Sequence, residues 1–174
     1  MIFEIDPLHS VVEFAVRHLM ISVVKGRFSD VHGSIELDTQ HPERSWVKAQ
    51  VKTDSIYTGS TRRDAHLRSS DFFDVYRYPM LTFESTQMKQ VDQNHCILNG
   101  DLLLHGVKKT VAFQVAYTGQ NRDPLTNTWR IGLSATTIID RRDFNMQFNQ
   151  ITDGISLVGN ETRLEIFTEA IQML

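Results

Sequence analysis

TVAFQVAYTG (residues 110–119) carries the pattern from which the rest of the chain can be read. Val111, Phe113, Val115 and Tyr117 share one face of an extended chain, and the residues between them take the other. A half-buried strand has this form, because successive side chains point to opposite sides of the sheet. The same alternation recurs along the sequence. Val12, Phe14, Val16 and His18 oppose Glu13 and Arg17. Val47, Ala49, Val51 and Thr53 alternate with Lys48, Gln50 and Lys52, and Leu81, Phe83 and Ser85 with Thr82, Glu84 and Thr86. Trp129, Ile131, Leu133 and Ala135 share a face, and Leu164, Ile166 and Thr168 oppose Glu165 and Glu169.

With GRFSDVHGSIELD (26–38) and NHCILNGDLLLHG (94–106), the pattern predicts eight strands. They fall at about 10–19, 26–38, 45–54, 80–88, 94–105, 109–118, 128–139 and 158–170. Gly26, Gly33, His41-Pro42, Gly106, Gly119, Asn121 to Pro124 and Asp153-Gly154 supply turn chemistry between them. Most links are short, so neighbours pair as antiparallel hairpins. Closing such a set into a barrel removes its exposed edges. The expected fold is therefore all-β, an eight-stranded antiparallel barrel. Its interior either fills with side chains or holds one small ligand.

One stretch breaks the alternation. In TRRDAHLRSSDFFD (61–74), Thr61 followed by Asp64 predicts a helix N-cap with an acidic N3 residue. A short helix over 61–72 is expected between the third and fourth strands, pinned to the barrel by Leu67, Phe72 and Phe73.

Bulk properties narrow the function. The 174 residues suit one domain, and 41% apolar content supports a core. The net charge of −3 leaves no basic excess for a phosphate backbone, so nucleic acid is not the expected partner. A single cysteine, Cys96, forms no intramolecular disulfide, and its alternating apolar strand predicts a buried hydrophobe. The most apolar run, Leu19 to Val24, is far short of the ~20 residues that a membrane helix needs. Glu4 and Asp6 interrupt the N-terminus and no lysine or arginine precedes Arg17, so a cytoplasmic location is expected, or a periplasmic one after removal of a signal.

Catalytic and metal motifs do not emerge. Asp64 and His66 lack the i, i+4 spacing of a helical zinc site, and His9, His18, His32 and His105 read as hydrogen-bonded residues at strand ends or turns. There is no G-x-S-x-G elbow and no glycine-rich phosphate loop. Arg-Arg-Asp occurs at 62–64 and 141–143, where salt bridges to the barrel rim are expected.

Four blocks resemble the YceI-like family of polyisoprenoid-binding, lipocalin-like proteins. They are DPLHSVVEFAVRHLMISVVKGRF (6–28), SIYTGSTRRDAHLRSSDFFDVYRYPMLTFEST (55–86), NGDLLLHGVKK (99–109) and DRRDF (140–144). The resemblance implies an eight-stranded barrel with a helix beside it, an apolar isoprenoid chain held inside, and a dimer. Leu103 and Lys108 stand where the family usually has threonine, Asp140 where it has asparagine, and Asn145 where it has glycine. Asparagine tolerates positive φ, so the last turn can survive.

The expected function is non-enzymatic binding, storage or transport of a polyisoprenoid or isoprenoid quinone, with no cofactor beyond the lipid and no metal. Membrane contact is at most transient. The expected cavity wall comprises Val12, Phe14, Val16, Val47, Val51, Phe83, Leu98, Leu102, Val115, Ile131, Leu133 and Ile166, with Arg63, His66 and His18 as head-group contacts. The small inward residues Ala49, Gly100 and Ala135 favour space inside. Two alternatives stand beside this reading: an enzyme using His18 or His66 as general base, and a packed barrel serving as an interaction module.

Overall fold

The structure is a computed structural model and describes residues 1–173. Its strands are β1 (Ile2–Ile5), β2 (Val11–His18), β3 (Ser22–Phe28), β4 (Val31–Glu36), β5 (Trp46–Lys52), β6 (Ile56–Tyr57), β7 (Met80–Gln90), β8 (His95–Leu104), β9 (Val107–Arg122), β10 (Trp129–Asp140), β11 (Ile151–Thr152), β12 (Ile155–Ser156) and β13 (Val158–Gln172). One α-helix, α1 (Thr61–Arg68), lies between β6 and β7.

The sheet runs β1-β4-β5-β7-β8-β9-β10-β13, and pairing of β13 with β1 closes it. Strands β1 and β2 lie end to end along β13, separated by a 3-10 turn at Pro7–His9. Pro7 cannot donate to a ladder, and the Asp6 carboxylate instead caps the turn by accepting from Leu8 N at 3.0 Å. Likewise β3 and β4 are two halves of one bent strand, and β5 passes into β6 through a turn at Thr53–Ser55. The result is the expected barrel of eight strands, the first three of them broken.

Several boundaries differ from the sequence reading. The first strand begins at Ile2, where Phe3 and Ile5 are buried and Ile2 and Glu4 exposed. That alternation is only four residues long, too short to stand out. The second strand begins at Ser22, because Gly26 lies inside β3 and is not a turn. Its missing side chain leaves room for Phe14, whose ring would stand 2.3 Å from an added Cβ. Gly119 also lies within a strand, beside a bulge that leaves Thr118 unpaired between β9 and β10. Helix α1 ends at Arg68, short of residue 72, and Ser60 caps it. Asn145 takes the left-handed conformation, φ 58°, that the turn after DRRDF requires.

The end of the barrel at β1 is packed solid. Phe3, Ile5, Ile35, Ile131 and Ala170 are almost fully buried, with Ile131 and Ile5 both paired to Ala170. Arg130 locks this end from outside. Its Nη1 donates to Asp6 Oδ2 at 2.7 Å and Glu169 Oε2 at 3.1 Å, and its Nε to Asp123 Oδ2 at 3.0 Å.

Candidate functional site

The inward faces enclose a cavity of about 390 Å³, a size that holds a small-molecule ligand. Val12, Phe14 and Val16 of β2 line it beside Leu164 and Ile166 of β13. Val47, Ala49 and Val51 of β5 continue the wall to Leu81 and Phe83 of β7. Leu98 and Leu102 of β8, Phe113 and Val115 of β9, and Leu133 and Ala135 of β10 complete the ring.

Exposure shows where the cavity opens. Near β1 the lining residues Ile5, Val31 and Ile35 are buried. At the other end Arg17, His18, Arg63, His66, Phe148 and Leu157 are wholly or partly exposed. The mouth therefore lies at the β2–β3 tip, between α1 and the segment 145–157. Every ionisable side chain on the lining is Arg or His: Arg17, His18, Arg63, His66 and Arg141.

Arg141 fastens one side of this mouth. It is buried, and its Nε donates to Gly159 O at 2.9 Å. Its Nη1 donates to the carbonyls of Met146 and Phe148, at 2.6 and 2.8 Å, and its Nη2 to Asn160 Oδ1 at 3.2 Å. All these acceptors are neutral. Burial pulls its pKa below the ordinary arginine value and the nearby Asp140 opposes that pull. A guanidinium nonetheless keeps its proton in proteins, so a fixed positive charge sits beside the apolar wall. Asp140 itself is engaged by Arg142, through Nη2 at 2.6 Å, which holds its carboxyl below the usual range.

The α1 segment forms the other side, and most of its polar residues are fasteners. The buried Asp64 is not an N3 cap. It accepts from Thr58 N at 2.9 Å and Thr58 Oγ1 at 2.5 Å. Arg63 Nε donates to the same hydroxyl at 2.7 Å, and its Nη2 to Thr58 O at 2.8 Å. Arg68 ties the helix end to Ile56 O at 2.8 Å and to the Asp54 carboxylate at 3.0 Å. The expected Arg–Asp salt bridge within 62–64 is therefore replaced by a network through Thr58. His66 Nε2 lies 2.8 Å from Asp71 Oδ2, a pairing the sequence reading did not make. Its ring packs edge-on against Phe72 and Phe148, with centroids at 5.1 and 4.9 Å. This seam joins the helix segment to the loop across the mouth.

The structure thus puts the expected wall residues on the cavity, with one exception. Ile131 lies on the same face of β10 as Leu133, but that face continues past the cavity floor into the packed end. His18, Arg63 and His66 all reach the mouth. Ala49 and Ala135 border open space, whereas Gly100 does not: the Phe83 ring fills its place, 2.4 Å from where a Cβ would stand. Leu81, Leu104, Phe113 and Leu164 follow from the same strand periodicities. Met146, Phe148 and Leu157 do not, because they reach the cavity from an irregular segment.

His9, His18, His32 and His105 do not converge on one site. Among the described residues, Asp6, His9 and Glu169 bring ligating atoms within metal-binding reach of one another. Arg130 already occupies both carboxylates, so the residues fit an ion-pair cluster better than a cation site. Burial raises the Cys96 thiol pKa, which disfavours a reactive thiolate. No helix is long and apolar enough to cross a membrane among the described residues.

Fold and site together define a closed antiparallel barrel with an apolar internal chamber and a basic mouth. The YceI-like domain model matches residues 3–170, and the chain belongs to that family. A UPF0312 protein of Pseudomonas putida (strain W619) is 36% identical over 139 residues, covering 80% of this chain and 72% of the relative. The crystal structure of Burkholderia cenocepacia BcnA superposes with a TM-score of 0.83 at 19% identity, covering 95% of this chain and 98% of the other. A polyisoprenoid binding domain from Saccharophagus degradans, implicated in plant cell wall breakdown, superposes with a TM-score of 0.73 at 15% identity and 98% coverage of both chains. At those identities the two structures share the fold.

Proposed function

We propose that this protein binds an apolar, chain-like lipid of the isoprenoid class in the barrel, as a carrier or store and not as a catalyst. One observation carries the reading: inward side chains from the whole ring of strands leave a chamber walled by aliphatic and aromatic groups, with its charged residues gathered at one end. Each CH₂ moved from water into such a chamber gains roughly 0.8 kcal/mol. Affinity therefore grows with chain length, and a few groups at the mouth set the head-group preference. Membership of the YceI-like family and the fold shared with a polyisoprenoid binding domain support the same ligand class.

The test is retention of an isoprenoid quinone by the purified protein, set against Phe83→Arg and Leu133→Glu. Both side chains face the chamber. The variants are expected to lose the quinone while circular dichroism shows intact strands. Full retention by the folded variants would contradict the reading.

The His66–Asp71 pair gives a second reading some footing, because a carboxylate-oriented imidazole can act as a general base. Turnover of an extracted ligand, abolished by His66→Ala, would favour it.

A further inference from the structure

Among the described residues, three hairpin turns place two adjacent residues in the left-handed region. His105-Gly106 takes φ 52° and 74°, and Asp153-Gly154 takes 52° and 77°. Both use glycine, which enters that region without strain. The third, at the β2–β3 tip, is Leu19-Met20, with φ 50° and 59°. Large apolar residues are poor choices there for turn stability and for solubility alike.

The apolar surface does not stop at that turn. Ile21 is 83% exposed, and on the neighbouring β11–β12 hairpin Ile151 is 69% exposed. The two hairpins leave the barrel side by side. Leu19 N donates to Leu157 O at 3.0 Å, Leu157 N donates to Gln150 O at 2.8 Å, and Val158 pairs with His18. Leu19, Met20, Ile21 and Ile151 give these hairpins an exposed apolar rim, with Asp153-Gly154 at the turn of the second, and Arg17, His18 and Leu157 beside it line the chamber mouth.

The ionisable side chains that line the mouth are all arginine or histidine. Arg17 and Arg63 have no carboxylate within salt-bridge reach among the described residues, and Arg141 bonds only neutral acceptors. The acids nearby are Asp64, bonded to Thr58, Asp71, engaged by His66, Asp140, engaged by Arg142, and Asp153 at the hairpin turn. The chain as a whole carries −3, yet no carboxylate lines the mouth among the described residues.

We propose that the rim docks on a lipid bilayer bearing anionic head groups. The side chains of Leu19, Met20, Ile21 and Ile151 enter the boundary between head groups and acyl chains, and Arg17 and Arg63 meet lipid phosphates. The mouth then faces the acyl region, so an apolar ligand passes between membrane and chamber without crossing water. A second copy of the chain fits less well: a symmetric pairing through this face would oppose two basic mouths. The proposal rests on the chamber being a lipid site but concerns a surface outside it.

Sedimentation with vesicles tests it. One set contains equal parts phosphatidylglycerol and phosphatidylcholine, and the other phosphatidylcholine alone. The protein is expected to bind the anionic set more tightly, less so as salt rises. Ile21→Ser combined with Ile151→Ser is expected to weaken binding roughly tenfold or more, with thermal stability and retention of detergent-presented quinone unchanged. Leu8→Ser with Leu125→Ser, at residues 90% and 93% exposed but away from this rim, serves as the control and is expected to change nothing. Unaltered vesicle binding by the Ile21/Ile151 variant would overturn the proposal. So would a dimer in light scattering that this variant dissolves. Loss of quinone retention in the wild type, with vesicle binding intact, would instead remove the chamber reading and leave the docking surface standing.

Discussion

The two ends of this barrel each hold a deeply engaged arginine, and the difference between them separates stability from function. At the packed end Arg130 bonds three carboxylates, Asp6, Asp123 and Glu169, so its positive charge is more than matched by acids in direct contact. At the open end Arg141 bonds backbone carbonyls and an amide, so its hydrogen bonds are satisfied but its charge is not. Side chains interlock beneath the first arginine, whereas beneath the second lies open space bounded by apolar walls. A cluster of opposed charges makes a strong lid, and a cation whose direct partners are all neutral, next to an apolar chamber, makes a mouth that favours electron-rich head groups.

The largest expected effects come from removing either fastener. Arg141→Met should cost about 4 kcal/mol, because it strips partners from several buried carbonyls. It should also release the 145–150 segment and accelerate quinone loss. Arg130→Met should cost about 3 kcal/mol by leaving Asp6 and its neighbours unpaired. Quinone retention per folded molecule should be unchanged, since Arg130 does not line the cavity. Thermal melts and ligand dissociation rates, measured together, check both halves. Equal effects on dissociation would erase the contrast between the ends.

Truncations on β10 probe the same contrast within one strand. Ile131→Ala opens a hole in packed structure and should cost about 3 kcal/mol, whereas Leu133→Ala enlarges an existing cavity and should cost about 1 kcal/mol. Denaturant midpoints at constant m-value measure the difference.

Acid should act most strongly at the packed end, where the Asp6 carboxyl is buried, and more weakly at the more exposed Asp140–Arg142 pair. Burial pushes the Asp6 carboxyl up, but Arg130, His9 and the Leu8 N–H outweigh it and bring its pKa to about 2. Because the folded value lies below the ordinary one of 3.8, this carboxylate stabilises the fold above about pH 4. That contribution, of order 2 kcal/mol, is lost as pH falls from about 4 to 2. Arg130→Met should flatten this limb of the stability profile. Arg141→Met should leave the Asp6 contribution intact, since Arg141 takes no part in holding that carboxyl low.

The smallest effect is expected at α1, where Ser60 Oγ accepts from Arg63 N at 3.3 Å. Ser60→Ala should cost about 1 kcal/mol or less, visible as a small shift in melting temperature.

The barrel was legible because alternation is a local property, and each strand shows it without knowledge of its partners. Val12, Phe14 and Val16 announce their face in eight residues of sequence. The broken first strand was not, since β1 is four residues long and becomes a strand only by closing the ring against β13. The cavity wall was legible for the same reason as the strands, but its depth was not. Ile131 and Leu133 share a face, and only the height of the packed floor separates them. The motif at 141–143 marked Arg141, but as a salt-bridging residue, because its actual partners are mostly backbone carbonyls, which every residue has. His66 and Asp71 were both visible in TRRDAHLRSSDFFD, but their pairing needed the turn after α1.

Mass spectrometry of the purified protein, under native conditions and after organic extraction, bears most directly on the chamber. A stoichiometric, isoprenoid-like adduct that leaves with organic solvent is the predicted result. A protein that arrives empty, and stays empty after incubation with quinones and polyprenols, would contradict a lipid-holding chamber and favour a barrel whose interior serves only its own stability.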